Sequence, residues 1–287
     1  LVADLAAATP VGAPPLIVSI DQEGGRVQRL KAPLVHWPPM ARVAACGDPA
    51  LTEVVGRALG EELALFGFNL DFAPVCDVLT NPSNPVIGDR AFGSTPEEVA
   101  LHAGAFLRGL EGAGVRGCLK HFPGHGDTAQ DSHLDLPRVD HPLSRLQRVE
   151  LGPFRSLTPA AGMVMTAHVV VSALDERPAT LSGAWIDGVL RGELGFAGVV
   201  VSDDLDMKAV AGRFPVEEVI FEALAAGVDA FLLCRDSERQ RQAVAALRKA
   251  AEDPVLGVRV ARSLARLRDF RSTLRRPVPA SPDRLAA

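Results

Sequence analysis

The 287-residue chain has no excess of basic charge, few cysteines and no long apolar run. Lys and Arg number 30 against 35 Asp and Glu, for a net charge of −5. No segment carries a basic stripe, which argues against a nucleic acid or an anionic membrane surface as partner. The four cysteines, Cys46, Cys76, Cys118 and Cys234, stand far apart with no C-x-x-C pair. That spacing excludes a zinc ribbon or redox motif, and a disulfide framework is not expected. Cys76, Cys118 and Cys234 lie in apolar runs and are expected to pack as small hydrophobes, with reduced thiols in a cytoplasm. No apolar stretch reaches the ~20 residues that span a bilayer, and no signal peptide is visible. The opening LVADLAAATP has no Met and reads as a helix already under way, so a further segment is expected upstream of Leu1. No G-x-G-x-x-G fingerprint or P-loop follows any apolar run, which removes the common nucleotide sites.

What is present is an ordinary globular composition, 47% hydrophobic and 23% charged, enough for a sizeable core. Six short apolar runs recur: LIVSID (16–21), FNLDFAPV (68–75), GCLKHF (117–122), GMVMTAH (162–168), GVVVSD (198–203) and DAFLLC (229–234). Their near-continuous apolar character predicts strands of a parallel sheet buried on both faces. Helical patterns separate them, at 51–67, 95–114, 181–195 and 215–227, followed by two late helices. Thr95 with Pro96 predicts an N-cap, and Gly195 a C-cap. Alternating strands and helices admit an open doubly wound sheet or a (β/α)8 barrel. Asp21, Asp77, Lys120 with His121, His168 and Asp203 fall at the carboxyl ends of different strands. This distribution predicts the α/β fold of a (β/α)8 TIM-type barrel, since an open sheet gathers its functional residues at one switch point. Six strands leave two to be found, expected upstream. Residues 1–287 are read as one barrel domain, with a helix remnant at 1–10 and a loose Pro-rich tail at 275–287.

Three stretches carry chemistry. DQEGGRVQRL (21–30) displays Asp21, Arg26 and Arg29 around a strand end. A carboxylate accepts from sugar hydroxyls and an arginine fork donates to oxygens; the plain alternative is a surface turn with an ion pair. In the loop NPSNPVIGDRAFGS (81–94), Arg90 either reaches a pocket or pairs with its neighbour Asp89. In GVVVSDDLDM (198–207), Asp203 closes a buried run and Asp204 should point the other way. Asp203 is therefore the candidate nucleophile, against the alternative of a helix cap or ion pair. KHFPGHGDTAQDSHLDLP (120–137) gathers three of the seven histidines. It reads as a zinc site, as a structural loop, or as an acid/base device in which Asp131 holds and polarises His133. His36, His102 and His141 are expected at the surface without a role.

The segments IDQEGGRVQRL, NLDFAPVCDV, the loop ending in DRAFG, KHFPGHGDTAQDSHLDLP, MTAHV and LRGELGFAGVVVSDDLDM resemble, in order, the bacterial β-N-acetylglucosaminidases of glycoside hydrolase family 3. The resemblance runs from Ile20 to Met207. It implies a (β/α)8 barrel whose members begin with two β/α units before the DQEGG strand, units this chain lacks. It implies Asp203 as nucleophile and His133, paired with Asp131, as general acid/base. Asp21, Arg29, Arg90, Lys120 and His121 are implied to bind N-acetylglucosamine; His125, Asp127 and Asp135 are expected to shape the loop. No metal or organic cofactor is implied. The implied substrate is a small carbohydrate, a muropeptide or chitobiose-like fragment, handled by a cytoplasmic enzyme of cell-wall recycling. We hypothesise that the histidine loop swings on Gly124 and Gly126. A phosphorylase using phosphate in place of water, and a sugar-binding protein without catalysis, are the alternatives.

Overall fold

The computed structural model describes residues 2, 4, 9–10, 12–129 and 136–277. Each of the six apolar runs carries strand. They are β1 (Ser19–Ile20), β2 (Leu70–Asp71), β3 (Arg116–Gly117) with β4 (Leu119–Phe122) in one run, β5 (Met163–Thr166), β6 (Val199–Asp204) and β7 (Ala230–Leu232). Pairing among these seven strands is parallel and follows chain order. Ile20 faces Asp71, Asp71 faces Gly117, Leu119 faces Val164, Val199 faces Met163 and Val201 faces Ala230. β3 and β4 are separated by Cys118 alone, and Val75 bridges to Lys120, so β1 to β7 form a continuous α/β arc. β1 and β7 are its edges among the described residues.

The period of two along each strand divides the core. Leu119, Val164 and Val200 point outward and pack with Leu59, Phe106, Phe154 and Trp185 of the surrounding helices. Leu70, Phe72, Cys118, Met163, Met165, Val199 and Val201 point inward and pack together, with Phe270 and Leu274 joining them. Continuing the inward series of β4 and β6 by two residues reaches Lys120 and Asp203. The same alternation that builds the inner core delivers these charges to its carboxyl end.

The first two long helices open on side-chain caps. Pro49–Leu65 is capped by Asp48, whose carboxylate accepts from Ala50 N at 2.9 Å. Pro96–Gly112 opens with a Thr95–Glu98 capping box, satisfying two otherwise orphaned N–H groups. The segment Ala184–Glu193 winds as a π-helix and stops before Gly195, at φ +68°. No helix among the described residues is long and apolar enough to cross a membrane.

Some expectations change. His102 is buried, not at the surface: its Nδ1 lies 2.7 Å from Thr52 Oγ1 and its ring stacks on Phe92. Cys234 is exposed instead of packed, because it lies beyond the end of β7. Arg275 is not loose, since its carbonyl accepts from Asn69 Nδ2 and its guanidinium donates to Ala113 O. Of the remnant at 1–10, Val2 and Asp4 are both helical.

Candidate active site

A cleft of about 500 Å³ opens over the inner core at the carboxyl ends of the strands. Phe72, Met165 and Leu232 contribute apolar surface, and Asp21, Glu23, Arg29, Arg90, Lys120, His121 and Asp203 line it. The structure thus brings together six of the sequence-predicted site residues. The other two, Asp131 and His133, lie outside the described residues, as does Asp135.

Glu23 organises one side. Asp21 and Glu23 are two residues apart in extended chain and so face one way. Glu23 Oε1 lies 2.6 Å from Lys120 Nζ, and Arg90 grips the same carboxylate with two bonds of 2.8 Å. Lys120 reaches Asp21 Oδ1 as well, at 3.0 Å. Burial alone would raise the Glu23 carboxyl, but Lys120 and Arg90 outweigh it and hold the group far below its ordinary range. Burial would likewise lower Lys120; Glu23 and Asp21 outweigh it and hold the ammonium above its usual value. Lys120 is therefore a fixed cation and a donor, not a base. Arg90 answers the question its loop posed: it enters the cleft, and Asp89 pairs instead with Arg26 at 3.2 Å. Arg26 also donates to the carbonyls of Pro85, Val86 and Ile87, so it clamps the 81–94 loop outside the cleft. Arg29 stays mostly exposed at the rim, 3.9 Å from Asp21.

Asp77 organises the other side. Its Oδ1 accepts from His121 N and His125 N, at 3.3 and 2.6 Å. Its Oδ2 lies 2.7 Å from His121 Nδ1. Burial would raise this carboxyl, yet the His121 and His125 interactions hold it below its ordinary value. An ionised carboxylate only accepts, so His121 carries hydrogen on Nδ1 and turns Nε2 toward Arg90 Nη2, 3.4 Å away. The His121 ring is thereby fixed in both tautomer and direction. The Lys120–His121 peptide is cis, as are those at Ala73–Pro74 and Phe122–Pro123.

Asp203 accepts from Asp204 N at 2.7 Å. Burial pushes its carboxyl up, but His121, His168, the Asp204 N–H and Lys120 together hold it below the usual carboxylate range. It is thus ionised, as a carboxylate nucleophile requires. Asp204 turns to structural work: its Oδ1 accepts from Asp206 N and Cys234 N, and its carbonyl lies 3.2 Å from His168 Nε2. A carbonyl only accepts, so His168 carries hydrogen on Nε2; its Nδ1 lies 2.8 Å from Thr180 Oγ1, which donates to Ala167 O. Burial pushes His168 down, against the neighbouring Asp203 and Asp204, which pull it up.

The stem of the histidine loop is locked. A Cβ on Gly126 would stand 1.9 Å from Val78 O, and one on Gly124 2.9 Å from Glu150 Cβ. These glycines permit close packing of the stem, in place of the hinge expected of them. Asn84 donates to His125 O and Thr128 Oγ1, and Asn81 to Thr128 O. Thr128 donates to His125 O, so it accepts from His125 Nδ1 at 2.7 Å. Burial pushes His125 down to about 4; it lines the cleft as a neutral ring.

Sequence reasoning missed Glu23 outright, although its place two residues after Asp21 was the available signal. Asp77 and His168 stood out as strand-end residues but received no site role.

Residues 3–267 match the family described as the glycosyl hydrolase family 3 N terminal domain. The chain is 45% identical to a beta-hexosaminidase of Alkalilimnicola ehrlichii, over 84% of this chain and 70% of that protein. It is 41% identical to a Pseudomonas aeruginosa beta-hexosaminidase, over 88% and 76%. A glycoside hydrolase family 3 beta-N-acetylglucosaminidase from Paenibacillus sp. superposes with a TM-score of 0.86 at 43% identity, covering 93% of this chain. This chain spans about half of that structure, 52%. The beta-N-acetylhexosaminidase of Beutenbergia cavernae gives 0.88 at 34% identity, over 94% of this chain and 83% of that one.

Proposed function

The chain belongs to glycosyl hydrolase family 3, and from that premise we propose that it is a retaining exo-β-N-acetylglucosaminidase. The observation that carries this reading is the ionised Asp203 carboxylate, held in one cleft with Asp21, Arg90, Lys120 and His121. Asp21 accepts from sugar hydroxyls, Lys120, Arg90 and Arg29 donate to sugar oxygens, and His121 presents its oriented ring. Lys120 and Arg90 lose little side-chain freedom on binding, because Glu23 has already ordered them.

In the first step protonated His133 gives its proton to the leaving oxygen as the anomeric C–O bond breaks, and a carboxylate oxygen of Asp203 bonds to the anomeric carbon. In the second, neutral His133 takes a proton from water, the water oxygen bonds to that carbon and Asp203 is released. Asp131 fixes the imidazole and raises its proton affinity. A histidine in this role places no second negative charge opposite the nucleophile, unlike the usual pair of carboxylates. The substrates are small fragments of peptidoglycan ending in β-linked N-acetylglucosamine, and the setting is cell-wall recycling in the cytoplasm. Residues 1–287 act as one catalytic domain, the six strand runs serving as staves of a (β/α)8 barrel.

The test is mass spectrometry of protein trapped with a fluorinated N-acetylglucosaminide. The adduct is expected on the peptide carrying Asp203; an adduct elsewhere sinks the assignment.

A further inference from the structure

Given the reading of the cleft as a sugar site, we propose that Asp71 is a positioning residue: by holding the peptide between Asp21 and Gln22 it aims the carboxylates of Asp21 and Glu23. Asp71 closes β2 between the inward residues Leu70 and Phe72, so its side chain turns away from the cleft. It is fully buried and does not line the cleft. Where β2 meets β1, Phe72 N donates to Ile20 O at 2.8 Å, and the paired register ends at Ile20 and Asp71. Two residues on, Gln22 N donates to Asp71 Oδ1 at 2.9 Å. A side chain thus takes over where the backbone ladder stops. Asn69 plays the same part before the ladder begins, where its Oδ1 accepts from Val18 N at 2.8 Å.

The peptide held in this way stands between the two carboxylates of the site. Asp21 meets Lys120 at 3.0 Å, and Glu23 meets Lys120 at 2.6 Å and Arg90 at 2.8 Å. The Gln22 side chain, itself buried, accepts from Arg29 N at 2.8 Å and from Leu30 N at 3.1 Å. Asp21, Arg29, Lys120 and Arg90 therefore all take their direction from one stretch of chain, and Asp71 is its anchor. Without that acceptor the Gln22 N–H would be buried unpaired, and the peptide would turn to relieve it. Such a turn would swing both carboxylates together. The anchor asks for an acceptor, not for a charge. Burial raises the Asp71 carboxyl well above its ordinary value, against the Gln22 N–H and Lys120, and Asp21 and Glu23 raise it further. Its Oδ2 has no hydrogen-bond partner among the described residues, so nothing there repays the cost of a buried anion. An amide oxygen meets the same need, as Asn69 does at Val18.

The experiment compares Asp71→Ala, Asp71→Ser and Asp71→Asn in the whole chain, on a nitrophenyl N-acetylglucosaminide and with free N-acetylglucosamine as inhibitor. Misplaced sugar-binding groups raise KM and the inhibition constant. A loss of folded protein lowers the apparent kcat and leaves both constants alone. Asp71→Ala and Asp71→Ser put no acceptor at the Oδ1 position and are expected to raise both constants about tenfold or more. Asp71→Asn keeps the acceptor and should stay within about threefold of the parent. Both constants are read on the folded fraction, and if Asp71→Ala does not fold, Asp71→Ser and Asp71→Asn decide. Unchanged constants in Asp71→Ser or Asp71→Ala, or an Asp71→Asn variant as impaired as they are, overturn the assignment. A parent that turns over no N-acetylglucosaminide shows that the sugar-site reading has failed, and the role of Asp71 falls with it. An active parent beside variants of unchanged KM sinks the role of Asp71 alone.

Discussion

Glu23→Gln isolates the charge at the centre of the cleft while keeping the side chain's shape. Glu23 is 2% exposed and holds both Lys120 and Arg90. Removing one partner of a buried pair typically costs about 3–5 kcal/mol, because the remaining charge stays buried without its counterion. Here Lys120 keeps Asp21, which places the expected loss at the lower end, about 3 kcal/mol. For a chain of this size that corresponds to a fall in Tm of roughly 6–12 °C.

The pH dependence supplies the decisive sign. The folded-state value of Glu23 is depressed, so its contribution is fully present above the unfolded value, about 4.3. It is lost progressively as pH falls below that value toward the folded one. Glutamine does not titrate. The stability gap between parent and variant should therefore be constant from pH 7 to about 5, then close by about 1.4 kcal/mol per pH unit below roughly 4.3. Denaturant unfolding at pH 6.5, 5.0 and 3.5 reads this directly. A gap that is unchanged or wider at pH 3.5 refutes the claim that Glu23 is ionised by Lys120 and Arg90 in the folded protein.

Three further outcomes follow from the site. Asp203→Ala should abolish hydrolysis while leaving sugar binding measurable by calorimetry; retained turnover removes Asp203 as the nucleophile. Asp77→Asn replaces an acceptor-only carboxylate with an amide, freeing the His121 tautomer, and should cost about ten- to hundredfold in kcat/KM. Activity within twofold of the parent would show that His121 needs no orientation. Gly126→Ala forces a Cβ to within 1.9 Å of Val78 O, so a loss of about 1–3 kcal/mol or more is expected in equilibrium unfolding. A neutral result would restore the hinge reading of that glycine.

The legible parts of this fold are those with a period. Lys120 and Asp203 were found because a buried strand carried each to its end, and alternation chose Asp203 over Asp204. His102 was misjudged although the same logic applied: it lies in helical step with Val99, Ala103 and Phe106, all buried. What sequence could not supply was partnership across irregular chain. Arg90 had an acid next door in Asp89, yet its partner is Glu23, 67 residues away. Asp127 and His141, 2.6 Å apart, belong to a stretch with no period at all. Such pairings are set by tertiary closure, which local propensity and pattern do not encode.

The inner core and the site are one construction, and this has a consequence for how the site tolerates change. Val199, Val201 and Asp203 are successive inward positions of β6, and Cys118, just before β4, and Lys120 within it continue the same alternation. A register slip of one residue would turn every one of them outward. The interior is close-packed, so a volume change at Val201 or Met165 has little room to relax except along the strand. The displacement would be passed to the next inward residue, which on β6 is the nucleophile. Substitutions in this apolar layer should therefore lower kcat before they lower Tm, whereas equivalent changes on the outward layer, at Val164 or Val200, should lower Tm first. Paired measurements of kcat and Tm on Val201→Ala and Val200→Ala separate the two behaviours. Indistinguishable profiles would show that the inner layer supports the site no more directly than the rest of the core.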